Sequence, residues 1–585
     1  MAEDRTNWLN LADKFAEEGD PRGMRACARE LWEGSARGKL EGAAVMAEAA
    51  LYTNSLDEAA SLADEILRQQ PGHLRARLVK AGVAAKQFEL GDEIPLLRGI
   101  VQEAERKRQA LDPSDAYYAT LVNLLRKARG WLADALYLAA DPQGAAENLL
   151  ARSELAEDDR PMERAMFYSK YLFMRNYREQ PVREARRAAE HYAEILPVKP
   201  FVHAPRQSAP ERKLRVGYLS PDFREHAVAN FTAPLLFDFD PARFSVHVYH
   251  TGRRDAVTKR FQKAPVKWTN LAGRSPRTAA RMIYEDQMDI LVDLSGHTQG
   301  SCLPIMAYRP APVQVSGIGY MNTTGLPAVD YFLSDEICLP SGDRVAADGF
   351  TERILRLPHT HLCYAPDIVH AMPEAGTEAP VYRNGYVTYA SFNNFAKLTD
   401  TVLLLWRGIL EQVPGARLLL KGKTASVPSG QAILRERLRK LNFDLSRVEF
   451  RPYSPDYLEQ YRDVDIALDT MPYTGGLTTC EALYMGVPVI AMRGRSHGAR
   501  FGASILQNAG VAELLLENDV SYVRRAVQLG KSPELIGAYH SGLRANLRKS
   551  SLMNRKQYMR ELEQGYMQIW TRAFASGGSS PNGDI

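Results

Sequence analysis

The chain has 585 residues, enough for about three or four domains. Its 45% hydrophobic and 25% charged residues, with 41 glycines and 33 prolines, are ordinary for a globular protein and exclude collagenous, fibrous and disordered classes. Lys and Arg total 74 against 70 Asp and Glu; a net charge of +4 is too balanced for a large basic nucleic-acid footprint.

Residues 1 to about 195 read as all-helical, rich in Ala, Leu, Glu and Arg with apolar residues three and four apart. In 55–70, Leu56, Ala59, Ala60, Ala63, Ile66 and Leu67 line one face. Ser55 and Glu58 have the spacing of a capping box, and Pro71-Gly72 stops the helix. A second helix is predicted from about His73 to Phe88. Four prolines make 196–212 a linker.

The texture then changes. Strands are predicted at 214–219, 244–250, 288–294, 312–316 and 330–334, with helical patterns such as 276–286 between several of them. A second proline-rich linker covers 365–384. A second strand–helix set follows, with strands at 386–392, 417–421, 447–451, 464–468 and 487–491. A polar helix at about 555–574 and a Gly/Ser-rich tail complete the chain. This alternation predicts two open parallel sheets, whose ligands bind beyond the carboxyl ends of strands.

The loops after strands are therefore the informative ones. After Leu219 comes SPDFREHAVANF, where His226 can act as a base, orient a hydroxyl or simply hydrogen-bond its loop. The strand at 288–294 runs into Ser295-Gly296-His297. After 386–392, Lys397 at a strand end suits a phosphate, although solvation at the surface is the common fate of lysines, and Thr399 or Asp400 can cap the next helix. In LDTMPYTGGLTTCEALYMGVP (468–488), Gly475 and Gly476 permit close backbone approach. Thr478 and Glu481 there have capping-box spacing, and a helix start with Thr478 and Thr479 suits a pyrophosphate. Gly317-Ile318-Gly319 lacks the rest of a dinucleotide fingerprint, and Gly422-Lys423-Thr424 lacks the first glycine of a Walker A. Asp463-Val464-Asp465 enters a strand, which favours a structural role over a metal.

Cysteines at 27, 302, 338, 363 and 480 show no metal-ligand spacing, and their odd number suits a reducing compartment. No apolar run approaches the roughly 18 residues of a spanning helix. The acidic, polar N-terminus has no signal-peptide pattern. These features predict a cytoplasmic protein without a membrane or nucleic-acid partner.

The paired helices resemble tetratricopeptide repeats, although prolines at 113, 142 and 161 break a 34-residue period; degenerate repeats and a plain bundle fit equally. The segments LRVGYLSPDFREHAV, DILVDLSGHTQG, RPAPVQVSGIGYMNTTGLPAVDYFLSD, RLPHTHLCYAPD, SFNNFAKLTD and LDTMPYTGGLTTCEALYMGVPVI occur in order over roughly 213–492. Together they resemble the O-linked N-acetylglucosaminyltransferase/SPINDLY family of protein glycosyltransferases.

That resemblance implies an α/β GT-B architecture of two Rossmann-like domains behind an all-helical, degenerate tetratricopeptide-like domain. The boundaries expected are 1–200 for the helical domain, 201–375 for the acceptor-side domain, 376–575 for the nucleotide-sugar domain with its C-terminal helix, and 576–585 for a disordered tail. It implies inverting transfer of a sugar, from UDP-N-acetylglucosamine first of all, to Ser or Thr of a polypeptide recruited by the helical domain, with no metal and no cofactor. His226 matches the family's active-site histidine, Lys397 its pyrophosphate lysine, Asn394 a donor contact, and Thr478 and Glu481 its phosphate threonine and ribose carboxylate. His297 matches the histidine of SPINDLY-like members. Gly476 and Leu477 replace the His-Thr of animal enzymes, and Tyr457 stands where SPINDLY-like members often carry histidine. GDP-fucose as donor, glucose transfer to Asn, and an inactive scaffold are the alternatives.

Overall fold

The computed structural model describes residues 2–33, 35–156, 160–203, 212–376 and 378–575. Residues 204–211 of the expected linker and the expected tail 576–585 lie outside the described residues. The chain forms two compact units, residues 1–174 with 423–440, and 175–422 with 441–585.

The first unit is helical from Ala2–Glu18 through Pro161–Arg175, and its sequence sets the helix starts. Asp20 and Asp141 each cap a helix whose first residue is proline, accepting from Arg22 N–H at 3.0 Å and Gly144 N–H at 2.9 Å. The helix expected after Ser55 spans Leu56–Gln69, but the Ser55 side chain makes no capping bond, so the Ser55/Glu58 box does not form. Ala59, Ala63 and Ile66 are buried as their spacing requires. The second expected helix is Leu74–Lys86. Four charges are buried together: Arg75 Nη1 lies 2.5 Å from Glu48 and 2.9 Å from Asp13, and Lys127 Nζ lies 2.7 and 3.0 Å from the same carboxylates. Such a balanced network fixes register; removal of one member costs about 3–5 kcal/mol.

Segment 423–440, between two strands of the other unit, also belongs here. Its helix Pro428–Lys440 contributes Ile433, which with Val427 joins the core of Leu90, Ile94 and Leu97. Thr424 Oγ1 donates to Leu138 O at 2.8 Å, and Ser429 Oγ to Phe88 O at 2.8 Å. The sequence places this stretch inside the last α/β domain.

The second unit holds two parallel sheets. The first, among the described residues, contains β1 (Leu214–Ser220), β2 (Phe244–His250), β3 (Lys267–Asn270), β4 (Ile290–Asp293), β5 (Val313–Ser316), β6 (Tyr331–Asp335) and β7 (Arg353–Leu357), in the order β3-β2-β1-β4-β5-β6-β7. The other contains β8 (Thr388–Ser391), β9 (Arg417–Lys421), β10 (Val448–Arg451), β11 (Ile466–Leu468), β12 (Val489–Met492) and β13 (Leu515–Leu516), in the order β10-β9-β8-β11-β12-β13. Central strands such as β4 and β8 are buried throughout, which explains their continuous apolar runs. This is the two-sheet α/β arrangement expected of a GT-B chain.

Two helices lie apart from their neighbours in sequence. Val182–Ile195 packs on the first sheet's loops: Arg186 donates to Asp348 O at 3.0 Å, and a Cβ on Gly325 would fall 1.9 Å from Ala189 O. The last helix, Arg555–Ala575, also returns to the first sheet, where Tyr566 and Tyr218 hydroxyls meet at 3.5 Å and Glu563 accepts from Asp240 N–H at 2.7 Å. Among the described residues, no helix is long and apolar enough to cross a membrane.

Candidate functional site

Strand order reverses at β8, which has β9 on one side and β11 on the other. In open parallel sheets, ligands bind outside the carboxyl ends at such a point. The loop 392–399 leaves β8 there, and the loop 469–476 leaves β11.

In the first loop, the exposed Asn394 accepts from Ala396 N–H at 3.0 Å and builds the short turn Phe395–Lys397. Thr399 caps the helix Asp400–Gln412, accepting from Val402 N–H at 3.2 Å. Lys397 is thus held by structure on both sides. Its Nζ donates to Thr474 O at 2.8 Å and lies 3.9 Å from the centre of the Tyr473 ring. Burial lowers its pKa to about 8, against the opposing pull of Asp469.

Asp469, the first residue after β11, organises the second loop. Its Oδ1 accepts from Gly475 N–H at 2.7 Å and Thr470 N–H at 2.8 Å, while its buried Oδ2 has no hydrogen-bond partner among the described residues. Burial raises its pKa. Sequence reading passed over Asp469; the signal available was an acid directly after an apolar strand and ahead of the double glycine.

Gly475 is required by space. A Cβ there would lie 2.5 Å from Thr479 Oγ1 and 2.8 Å from Thr478 Oγ1. Gly476 is the N-cap of the helix Leu477–Tyr484, and a Cβ there would meet only Phe501, at 3.9 Å. The expected Thr478/Glu481 capping box does not form, because the helix starts at Leu477 and Thr478 is already inside it. Thr478 Oγ1 instead donates to Asn393 Oδ1 at 3.0 Å. Thr479 is buried behind Gly475. Glu481 is also buried, accepts from Tyr457 Oη at 2.5 Å, and is pushed up to about 8 by its burial. Hydrogen bonds through Thr474 and Asn393 thus tie Lys397, Asp469, Gly475 and Thr478 into one cluster, with Thr479 packed behind Gly475, Glu481 one turn along the helix and Asn394 on the exposed rim.

The two histidines belong to the first sheet, whose order reverses at β1. His226 is half-buried in the loop after β1; its Nδ1 accepts from Val228 N–H at 3.3 Å, which puts the ring proton on Nε2. The buried Asp222 Oδ1 stands 3.5 Å from the same nitrogen. Burial pushes Asp222 up to about 6, against the favourable charge of Arg224. His297, after β4, is fully buried between Tyr192 and Tyr320, with ring centres 4.7 and 5.3 Å away, and its Nε2 lies 2.9 Å from Thr324 O. Burial lowers it to about 4, so it is neutral.

Relatives share this framework. Petunia hybrida has a "probable UDP-N-acetylglucosamine–peptide N-acetylglucosaminyltransferase SPINDLY" that is 39% identical over 373 residues, covering 62% of this chain and 39% of the relative. The SPINDLY protein of Arabidopsis thaliana is 38% identical over 373 residues, again 62% of this chain and 40% of the relative. The chain thus spans about two fifths of the length of these curated relatives. A solved Thermobaculum terrenum O-GlcNAc transferase, a lysine-to-methionine mutant, superposes with a TM-score of 0.75 at 28% identity, covering 92% of this chain and 98% of that one. The family model described as Glycosyl transferase family 41 matches residues 170–373 and 378–562, and with both sheets and the Lys397 and Gly475 loops inside those limits, the chain belongs to that family.

Proposed function

We propose that the protein transfers a sugar, N-acetylglucosamine from UDP-N-acetylglucosamine, to Ser or Thr hydroxyls of polypeptides, with inversion and with no metal at the reacting phosphates. The observation that carries the reading is the pairing of a half-buried cation with a helix start: Lys397 Nζ reaches the carbonyl of Thr474, two residues before the N-cap Gly476.

The acceptor oxygen attacks the anomeric carbon as the bond from that carbon to the diphosphate oxygen breaks. The departing nucleoside diphosphate gains one negative charge. Lys397 and the unpaired N–H groups at Leu477–Thr479 stabilise that charge where it develops. Glu481 accepts from the ribose hydroxyls. His226, with its proton on Nε2, orients the acceptor or donor by donating a hydrogen bond, and the acceptor proton passes to a phosphate oxygen of the leaving group. The helical unit recruits the polypeptide. The five cysteines are buried free thiols, which suits action in the cytoplasm.

The test is a donor screen with UDP-N-acetylglucosamine, UDP-glucose and GDP-fucose, read by released nucleotide, followed by electron-based fragmentation of a modified polypeptide. Preference for the first donor and attachment to Ser or Thr supports the reading. Preference for GDP-fucose, attachment to Asn, or no nucleotide binding at all replaces it with fucosyl transfer, N-glucosylation or a scaffold.

A further inference from the structure

Away from the leaving-group cluster, the fold brings together three side chains that the sequence keeps far apart. Cys338 follows β6, His361 follows β7, and His497 follows β12 of the other sheet. Their ligand atoms all lie within 4.8 Å of one another, and all three residues are buried. Two ring nitrogens of the group, His361 Nε2 and His497 Nε2, are buried and have no hydrogen-bond partner among the described residues.

The opposite nitrogens are both engaged. His361 Nδ1 lies 2.5 Å from Asp335 Oδ2, and His497 Nδ1 lies 3.1 Å from Met321 O. A carboxylate and a backbone carbonyl at Nδ1 fix each ring with its proton there, and so turn the Nε2 lone pair inward. That is the outer-shell arrangement of metal-binding histidines. Asp335 is itself immobilised, accepting from Cys338 N–H at 2.7 Å and Ser504 Oγ at 2.7 Å. Phe332, Phe350 and Phe501 rings pack around His497 with centres 5.1, 6.0 and 5.2 Å away, while the Cys338 thiol donates to Arg500 O at 3.3 Å.

We propose that Cys338 Sγ, His361 Nε2 and His497 Nε2 bind a zinc ion. One thiolate and two neutral imidazoles are a borderline-soft donor set that suits Zn²⁺. The charge closes as well: a dication, the Cys338 thiolate and the Asp335 carboxylate sum to zero, and the neighbouring Arg500 is balanced by Asp343 at 2.8 Å, which makes burial tolerable. Cys338 gives up its proton on binding. Without a cation, burial and Asp335 push that thiol well up, and burial with His361 pushes His497 down to about 3. A dication reverses the first effect and uses the second, since the metal takes neutral imidazole.

The ion joins loops at the carboxyl ends of both sheets. It also lies one residue from the leaving-group loop, because Gly498 O accepts from Thr474 Oγ1 at 3.0 Å and Thr474 O accepts from Lys397. Its role is structural, holding the 497–500 segment against the first sheet, and the inference is independent of which donor the protein uses.

The experiment uses the untagged full chain. Protein expressed with zinc is desalted and its metal measured by mass spectrometry, with about one zinc per chain expected and most of it lost in Cys338→Ser and His497→Gln. Protein expressed in minimal medium with cobalt should show a thiolate-to-cobalt charge-transfer band that disappears in Cys338→Ser. Circular dichroism checks that the variants fold; if neither does, the wild-type cobalt spectrum decides. Wild-type protein with neither stoichiometric zinc nor the thiolate–cobalt band overturns the proposal and leaves an Asp335–His361 ion pair in its place. So do folded variants that keep a full complement of metal.

Discussion

Tyr457 Oη donates to Glu481 Oε1 across 2.5 Å, so the carboxyl proposed for the ribose is held by a phenol from the loop after β10. Its pKa, raised by burial to about 8 from 4.5, means that the folded protein keeps a proton the unfolded chain gives up. Stability from this group is full below about pH 4.5 and is lost as pH rises through about 8. In Glu481→Gln this dependence vanishes. The melting temperature of the nucleotide-free variant should gain on wild type as pH rises from about 5 to 9, while UDP affinity falls about tenfold. Calorimetry with and without UDP measures both, and an equal offset at the two pH values refutes the assignment.

Lys397 has the opposite shift, down to about 8, because burial disfavours its charge. The diphosphate needs the ammonium form. Affinity for UDP should therefore fall as pH rises through about 8, and Lys397→Ala should be weak and flat across that range. Its kcat should drop about 10²–10³-fold, the size of losing one charge-stabilising donor. Titration calorimetry and initial rates read the two effects. Normal turnover by Lys397→Ala removes this lysine from the mechanism.

Adjacent glycines should behave differently. Gly475→Ala drives a methyl into Thr478 and Thr479 and should cost about 1–3 kcal/mol along with UDP binding. Gly476→Ala meets only Phe501 at 3.9 Å and should keep the wild-type melting temperature. Thermal unfolding of the pair is the check; equal destabilisation would falsify the close packing of the turn.

Asp222, raised to about 6, is the acid beside His226 Nδ1, with Arg224 and Asp293 the other charges acting on it. It ionises as pH rises through about 6, and its negative charge then stands beside the His226 ring. The kcat/KM profile should climb across about pH 5–7, and Asp222→Asn should flatten that limb and lower the plateau about tenfold or more. A limb that survives in Asp222→Asn belongs to another group.

The long apolar strands and the glycine turn were legible because their sequence periods and dipeptides act locally. β3 was not: Lys267–Asn270 has no buried residue, so its side chains carry no apolar signal. Neither proposed capping box formed. Spacing identifies a Ser/Thr-x-x-Glu pair but not the helix start: Thr478 lies inside its helix and turns to Asn393, while Glu481 turns to Tyr457. Asp469 was missed because an acid after a strand is a weak signal by itself; its value comes from Gly475 and Lys397, which only the fold brings to it. The Cys338, His361 and His497 group lay beyond sequence reading for the same reason, being drawn from three loops and two sheets.

Segment 423–440 gives the chain three crossings between its two units, at 174/175, 422/423 and 440/441. The helical unit is therefore not a detachable module. A graft that exchanges only residues 1–174 between relatives would bring a foreign core to Val427 and Ile433, and a truncation at 174 would leave those side chains bare. An intact exchange of this unit requires two separate stretches of gene to change in step.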